Sequence, residues 1–145
     1  MITLASALVA ASAAVILLLG LAHLLFTFRG PKLHPRDAAL EAGMKEVSPV
    51  LTRQTTMWKA WIGFNASHSN GAIFFGLIYG DLALEHGSLL FQSPFLLLAG
   101  LAMLAGYVFL ARVYWFSIPF RGITAATALY VAALVVNQTS IGGFQ

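Results

Sequence analysis

The sequence predicts an all-α integral membrane protein, a four-helix bundle with a short amphipathic helix at the membrane surface. Three observations carry this prediction. Only 9% of the 145 residues are Asp, Glu, Lys or Arg, against about 25% in an ordinary soluble domain. Apolar residues make up 59%, more than a soluble fold of this length could bury. Four long apolar segments recur along the chain, each close to the length of about 20 residues that crosses a bilayer as a helix.

The same composition excludes several classes of protein. Disordered chains are polar and poor in aromatic residues, whereas 12% of this chain is Phe, Trp or Tyr. The chain contains no cysteine, which excludes disulfides, thiolate nucleophiles and thiolate metal sites. We expect no nucleic-acid partner, because the few basic residues of a membrane protein serve to set its orientation. We expect a single transmembrane domain over residues 1–145.

The first span is predicted over residues 2–28, where the apolar sequence ends at Arg29. It is too long for a cleavable signal peptide and has no basic start. The polar segment that follows contains a helix start at Asp37. Apolar residues then recur at i, i+4 and i+7, at Leu40, Met44 and Val47. This spacing predicts a short amphipathic helix over residues 36–47 that lies at the membrane surface.

The remaining spans are predicted over residues 57–80, 94–116 and 121–139. Trp58 and Trp61 stand at the start of the second span, where the aromatic belt of a membrane protein is found. A polar connection over residues 81–93 separates the second and third spans. A tight turn over residues 117–122 is predicted between the third and fourth spans.

The basic residues predict the orientation of the chain. All of them lie between spans one and two or between spans three and four: Arg29, Lys32, Arg36, Lys45, Arg53, Lys59, Arg112 and Arg121. Under the positive-inside rule both of these connections are cytoplasmic, so the N- and C-termini face outward.

Small residues four apart recur in every span, which lets helix backbones approach closely. The sets are Ser6/Ala10/Ala14, Ala72/Gly76/Gly80, Ala102/Gly106 and Ala128/Ala132. They predict either a tightly packed monomer or a homo-oligomer formed through one of these faces.

The most informative stretch lies inside the second span, where five polar residues fall within six positions. These are Asn65, Ser67, His68, Ser69 and Asn70. With Lys59 at the cytoplasmic edge, His68 lies about 13 Å deep at 1.5 Å per residue, close to the bilayer centre. One helical face carries Trp58, Trp61, Asn65, His68 and Ser69. Such a face predicts the wall of a pocket that opens toward the cytoplasm, since ionisable groups at this depth usually face a bundle interior or a cavity.

His23 is predicted to lie at a similar depth in the first span, and Tyr107 could join from the third. Whether His23 and His68 converge is left open. Three interpretations compete. The polar residues form an interhelical hydrogen-bond cluster that locks the bundle; or they line a binding pocket, with His68 able to act as a general acid or base; or His23 and His68 ligate a haem. Outside the haem case we expect no metal site, and no other cofactor is indicated.

Three stretches resemble a family of small, uncharacterised bacterial four-span membrane proteins. They are AHLLFTF at 22–28, WKAWIGFNASHSNGAIFFGLIYG at 58–80 and YWFSIPFRGI at 114–123. The core of the resemblance is a GFNxSHxxG pattern formed by Gly63, Phe64, Asn65, Ser67, His68 and Gly71. The resemblance implies four helices in a bacterial cytoplasmic membrane and no particular chemistry.

The sequence therefore predicts a membrane-embedded binding protein for a lipophilic or amphiphilic small molecule. Its expected site residues are Trp58, Trp61, Asn65, His68, Ser69, His23 and Tyr107. Whether it catalyses a reaction is left open, with His68 as the candidate catalytic residue. The alternatives are a structural or accessory subunit of a larger membrane complex, with membrane protein partners, and a bis-histidine haem protein.

Overall fold

The computed structural model describes residues 2–142 of the chain, with side chains described to Thr139. Within that range the fold contains six α-helices and no strand, which confirms the all-α prediction for the described residues. The helices are α1 (Leu4–Phe28), α2 (Ala38–Glu46), α3 (Met57–Leu84), α4 (Gly87–Gln92), α5 (Pro94–Tyr114) and α6 (Ser117–Gly142).

Three of these helices are long and apolar enough to cross a membrane: α1, α5 and the part of α6 from Ser117 to Thr139. Helix α3 has the length, at 28 residues, but is less apolar. The reason lies in its own sequence, since Asn65, His68 and Asn70 interrupt its apolar run. The fold is thus consistent with a membrane protein in which these three helices could cross the bilayer.

Helix α2 lies inside the segment predicted to be amphipathic. Asp37 caps its start, with Oδ1 accepting hydrogen bonds from Ala39 N at 2.8 Å and Leu40 N at 3.4 Å, as N-cap carboxylates commonly do. None of its residues is buried. Its position at a membrane surface stays a prediction.

The described chain divides into two compact units, and the boundary passes through α1 and α3. The first unit contains the described residues up to Leu19 and those from Ala72 onward. Its core is built from every helix except α2 and includes Val9, Ile16, Leu90, Leu104 and Tyr130, each nearly or fully buried.

Within the first unit, α3 lies directly against α1 at Gly76. A Cβ atom added to Gly76 would stand 2.8 Å from Ala13 O and 2.9 Å from Leu17 Cα, closer than real Cβ contacts. Gly80, one turn further on, faces the Ala13 side chain. The Ala72/Gly76/Gly80 face therefore makes the close helix approach that its spacing predicts.

Two buried tyrosines hold the start of α5 in the same unit. Tyr79 Oη donates to Leu96 O at 2.7 Å, and Tyr130 Oη donates to Leu97 O at 3.1 Å. The two rings pack edge to face, 6.0 Å apart, against Gly100. Both hydroxyls thus satisfy their hydrogen-bonding requirement away from water.

Three sequence-based expectations differ from the structure. The segment over residues 81–93, expected to be a connection, contains the last turn of α3 and the whole of the short helix α4. Residues 117–122 form the first turns of α6 and not a tight turn, because Pro119 stands in the first helical turn, where a missing backbone N–H costs nothing. Ala102 and Gly106 on α5 are exposed, and a Cβ at Gly106 would meet nothing within 4 Å. This stripe therefore makes no close helix contact within the described chain.

Candidate functional site

The second unit covers Gly20–Gly71 and contains six of the seven predicted site residues. The exception is Tyr107, which belongs to the first unit and packs there at a tilt against the Trp115 ring, with centroids 6.4 Å apart. Its part in the predicted pocket stays a prediction. The other six lie in two antiparallel helices. His23 is near the end of α1, and the remaining five are in the first half of α3: Trp58, Trp61, Asn65, His68 and Ser69.

His23 and Asn65 form a direct hydrogen bond between these two helices, with Nε2 and Oδ1 3.1 Å apart. The Asn65 amide is oriented by a second bond, since its Nδ2 donates to Trp61 O at 2.8 Å. With that orientation the Asn65 oxygen faces the ring, so His23 Nε2–H is the donor. His23 is thereby fixed as the Nε2-protonated tautomer when it is neutral.

His68 completes the cluster. Its ring meets that of His23 edge to face, with the centroids 5.5 Å apart and the planes at 86°. Both rings are half-buried. The sequence left open whether the two histidines converge, and the structure brings them into contact.

Two buried hydroxyl groups donate hydrogen bonds to backbone carbonyls of the cluster residues. Ser69 is fully buried and its Oγ donates to Asn65 O at 2.9 Å. Thr27 is also buried, and its Oγ1 donates to His23 O at 2.8 Å. Both bonds are made within the helix that carries the hydroxyl. Ser69 thus acts on Asn65 through the backbone.

The connection over residues 29–56, which we call the strap, is tied to the same end of α3. Trp61 Nε1 donates to Leu33 O at 3.0 Å. Because Trp61 O also accepts from Asn65 Nδ2, this one residue links the strap to the histidine cluster. A continuous hydrogen-bonded path runs from Leu33 through Trp61 and Asn65 to His23.

Glu41 is the centre of a second set of contacts in the strap. Its carboxylate lies 2.6 Å from Lys45 Nζ and 3.2 Å from His34 Nδ1. His34 and Lys45 both approach the Trp58 ring, at 4.8 Å between ring centroids and 5.2 Å from Nζ to the centroid. The hydrogen bond from Lys45, aided by His34, lowers the pKa of the Glu41 carboxyl below its ordinary value.

This lowered pKa predicts how the strap responds to acid. A carboxyl whose pKa is lower in the folded state contributes stability above its ordinary pKa of 4.5, and loses it as the pH falls further. We expect Trp58 fluorescence to report loosening of the strap as the pH falls below that ordinary value. Glu41→Gln should remove this acid transition, whereas Glu46→Gln, in the same helix, should retain it. An unchanged transition in Glu41→Gln would assign it to another group.

His23, His68 and Asn65 were predicted from the sequence as site residues. The contacts that His34, Glu41 and Lys45 make in the strap were not predicted. The i,i+4 spacing of Glu41 and Lys45 signalled their ion pair. Nothing in the spacing signalled that His34 joins them, because residues 29–37 are irregular and bring it back toward α2.

The arrangement of the rings bears on haem and metal binding. Bis-histidine ligation needs one nitrogen of each ring directed at an iron between them, whereas His23 Nε2 is directed at Asn65. Within residues 2–142, no group of three or more His, Asp or Glu side chains is placed to hold a metal ion. The geometry therefore favours hydrogen bonding over haem ligation as the role of this cluster.

The chain matches no protein-family model, no curated protein and no solved structure. The resemblance to small bacterial four-span proteins therefore stays an expectation.

Proposed function

We propose that this protein binds a lipophilic or amphiphilic small molecule at the His23–Asn65–His68 cluster, inside a bacterial cytoplasmic membrane. The pocket opens toward the cytoplasm and includes Trp58 and Trp61 at its mouth, and the chain crosses the membrane four times with both termini outside. The observation that carries the proposal is the contact of two half-buried histidines and an amide between otherwise apolar helices.

In this proposal α3 crosses the membrane in addition to α1, α5 and α6. Its polar residues lower its hydropathy. At 28 residues it is about 42 Å long at 1.5 Å per residue, enough to cross a bilayer. Asn65 and His68 meet polar groups of α1, so they need not face lipid. A polar helix is tolerated in a membrane when its polar groups are turned toward a bundle interior.

The chemistry of the cluster selects the kind of ligand. The buried hydroxyls of Ser69 and Thr27 are already bonded within their own helices. His23, Asn65 and His68 offer donors and acceptors without a permanent charge. Such groups suit a head group with a hydroxyl or carbonyl and an apolar body that lies among the helices. If the bound molecule is also transformed, His68 is the group able to accept or supply a proton.

An accessory subunit of a membrane complex is the second candidate, and one observation favours it. Only 17% of the most apolar stretch of α5 is buried, against 39% for α1, and its exposed face includes the Ala102 and Gly106 stripe. A neighbouring helix could approach such a stripe closely. A bilayer covers an apolar face equally well, so this candidate stands second.

Native mass spectrometry of the protein, gently extracted from its host membrane, separates these proposals. We expect an adduct of a few hundred daltons, consistent with drug-sized ligands of such pockets, that is lost in His68→Ala. His86→Ala is the matched control, because His86 is exposed and lies in the other unit, and it should retain the adduct.

Three other outcomes contradict the leading proposal. Co-purifying polypeptides without a small molecule would favour the accessory subunit. An adduct with the mass of haem would favour the bis-histidine alternative. An adduct equally retained by wild type and His68→Ala would place the ligand elsewhere.

A further inference from the structure

The strap ends in a loop that runs from Val47 to Met57, the first residue of α3, and the tip of this loop is an exposed apolar turn. The base of this loop is closed by a backbone hydrogen bond from Met57 N to Val47 O, at 2.8 Å. Its tip is a turn closed from Thr52 N to Pro49 O at 3.2 Å. The two central residues of that turn are Val50 and Leu51, which are 109% and 93% exposed.

These residue types are unusual at that position. The central positions of turns are normally taken by Gly, Pro, Asn, Asp or Ser, and adjacent aliphatic side chains in water forgo the free energy of burial. Departures from local preference of this kind tend to mark functional surfaces. Backbone hydrogen bonds close the loop at its base and at its turn, and they hold Val50 and Leu51 in exposed positions.

The net charge of the strap indicates which kind of surface the tip contacts. Residues 29–59 carry six Lys or Arg side chains against three Asp or Glu, and Lys45 is already paired with Glu41. The arginines of the strap, Arg29, Arg36 and Arg53, are exposed and make no ion pair within the described part of the chain. The strap is therefore basic overall, and Arg53 follows the apolar turn two residues after Leu51.

The strap follows a candidate membrane span directly in the chain. The strap joins the end of α1 at Phe28 to the start of α3 at Met57, and α1 is long and apolar enough to span. Basic side chains next to a span are attracted to anionic head groups. Apolar side chains beside them enter the boundary between head groups and acyl chains.

We propose that the Val50–Leu51 tip inserts into the adjoining membrane leaflet, which in the proposed orientation is the cytoplasmic one, where anionic phospholipids attract Arg29, Arg36 and Arg53. This docking does not depend on what occupies the histidine cluster. It would nevertheless fix the strap, which is tied to the cluster through Leu33 and Trp61.

The absence of cysteine permits a direct test. The variant Leu51→Cys is labelled with a polarity-sensitive fluorophore and reconstituted in vesicles of phosphatidylcholine, or of phosphatidylcholine with phosphatidylglycerol. We expect blue-shifted emission in the anionic vesicles, weakened by added salt because surface charge is screened. A second protein that also carries Arg36→Gln and Arg53→Gln should lose most of the shift.

Ser88→Cys is the matched control, since Ser88 is exposed on α4 in the other unit. Its emission should not change when phosphatidylglycerol is added. Water-like emission of the Leu51→Cys label in both vesicle types would overturn the proposal and leave a protein partner as the occupant. An equal shift in both vesicle types would overturn the assignment to anionic lipid.

Discussion

Replacing Gly76 by alanine should lower the free energy of unfolding by about 2–3 kcal/mol, as overpacking of a tight contact does. The new methyl group would meet the α1 backbone at Ala13 O and Leu17 Cα, 2.8 and 2.9 Å away. Backbone atoms of a helix cannot move aside as a flexible side chain can, so α1 and α3 would have to separate. Titration with a denaturing detergent, followed by tryptophan fluorescence, measures this effect.

Gly106→Ala is the matched control for Gly76→Ala. Gly106 is also a helical glycine, but a Cβ there meets nothing within 4 Å. Alanine has the higher helix propensity, by about 1 kcal/mol, so this control should be neutral or slightly stabilising. If the two variants unfold alike, the close approach of α1 and α3 at Gly76 is absent in the membrane.

Replacing Asn65 by leucine should weaken retention of the bound small molecule by about tenfold or more. Leucine preserves much of the side-chain volume but removes the bonds to His23 and Trp61, each worth about 1 kcal/mol. The His23 ring would lose the partner that fixes its orientation. Adduct intensity in native mass spectra, followed by equilibrium binding of the identified ligand, measures the loss.

Asn70→Leu controls for the change from amide to aliphatic side chain on the same helix. Asn70 is exposed and should be replaceable without loss of ligand. If the cluster has only a structural role, Asn65→Leu should change the unfolding transition. In that case no small molecule should be found in wild type or in either variant. Equal retention by Asn65→Leu and wild type would remove Asn65 from the pocket.

The elements with the strongest patterns were the easiest to predict. The apolar runs located α1, α5 and α6, and the spacing of Ala72, Gly76 and Gly80 identified the face that meets α1. The start of α6 was misplaced because Ser117 and Pro119 suit a turn and a first helical turn equally. Helix α4 was missed because six residues carry too little periodicity to distinguish a helix from a connection.

The residues of the candidate site could be predicted from the sequence, but the contacts between them could not. Five polar residues in a predicted span drew attention to Asn65 and His68, and the depth of His23 suggested that it lay nearby. That Asn65 bonds to His23 depends on how the two helices are rotated, which a single sequence does not specify. The strap contacts of His34 and Glu41 depend on an irregular backbone, for which no periodicity exists.

The central claim is that α3 crosses the membrane and carries the polar cluster into it. The number of crossings decides on which sides the two ends of the chain lie. With α1, α3, α5 and α6 all crossing, both ends lie on the same side, whereas crossing by α1, α5 and α6 alone would place them on opposite sides. The basic residues further predict that both ends face outward.

The most direct measurement fuses topology reporters to each end of the chain in turn. One reporter is active only in the cytoplasm and the other only outside it. We predict that the outside reporter is active at both ends and the cytoplasmic reporter at neither. Activity of opposite reporters at the two ends would contradict the account, because α3 would then lie outside the bilayer and His68 would not be a group inside the membrane.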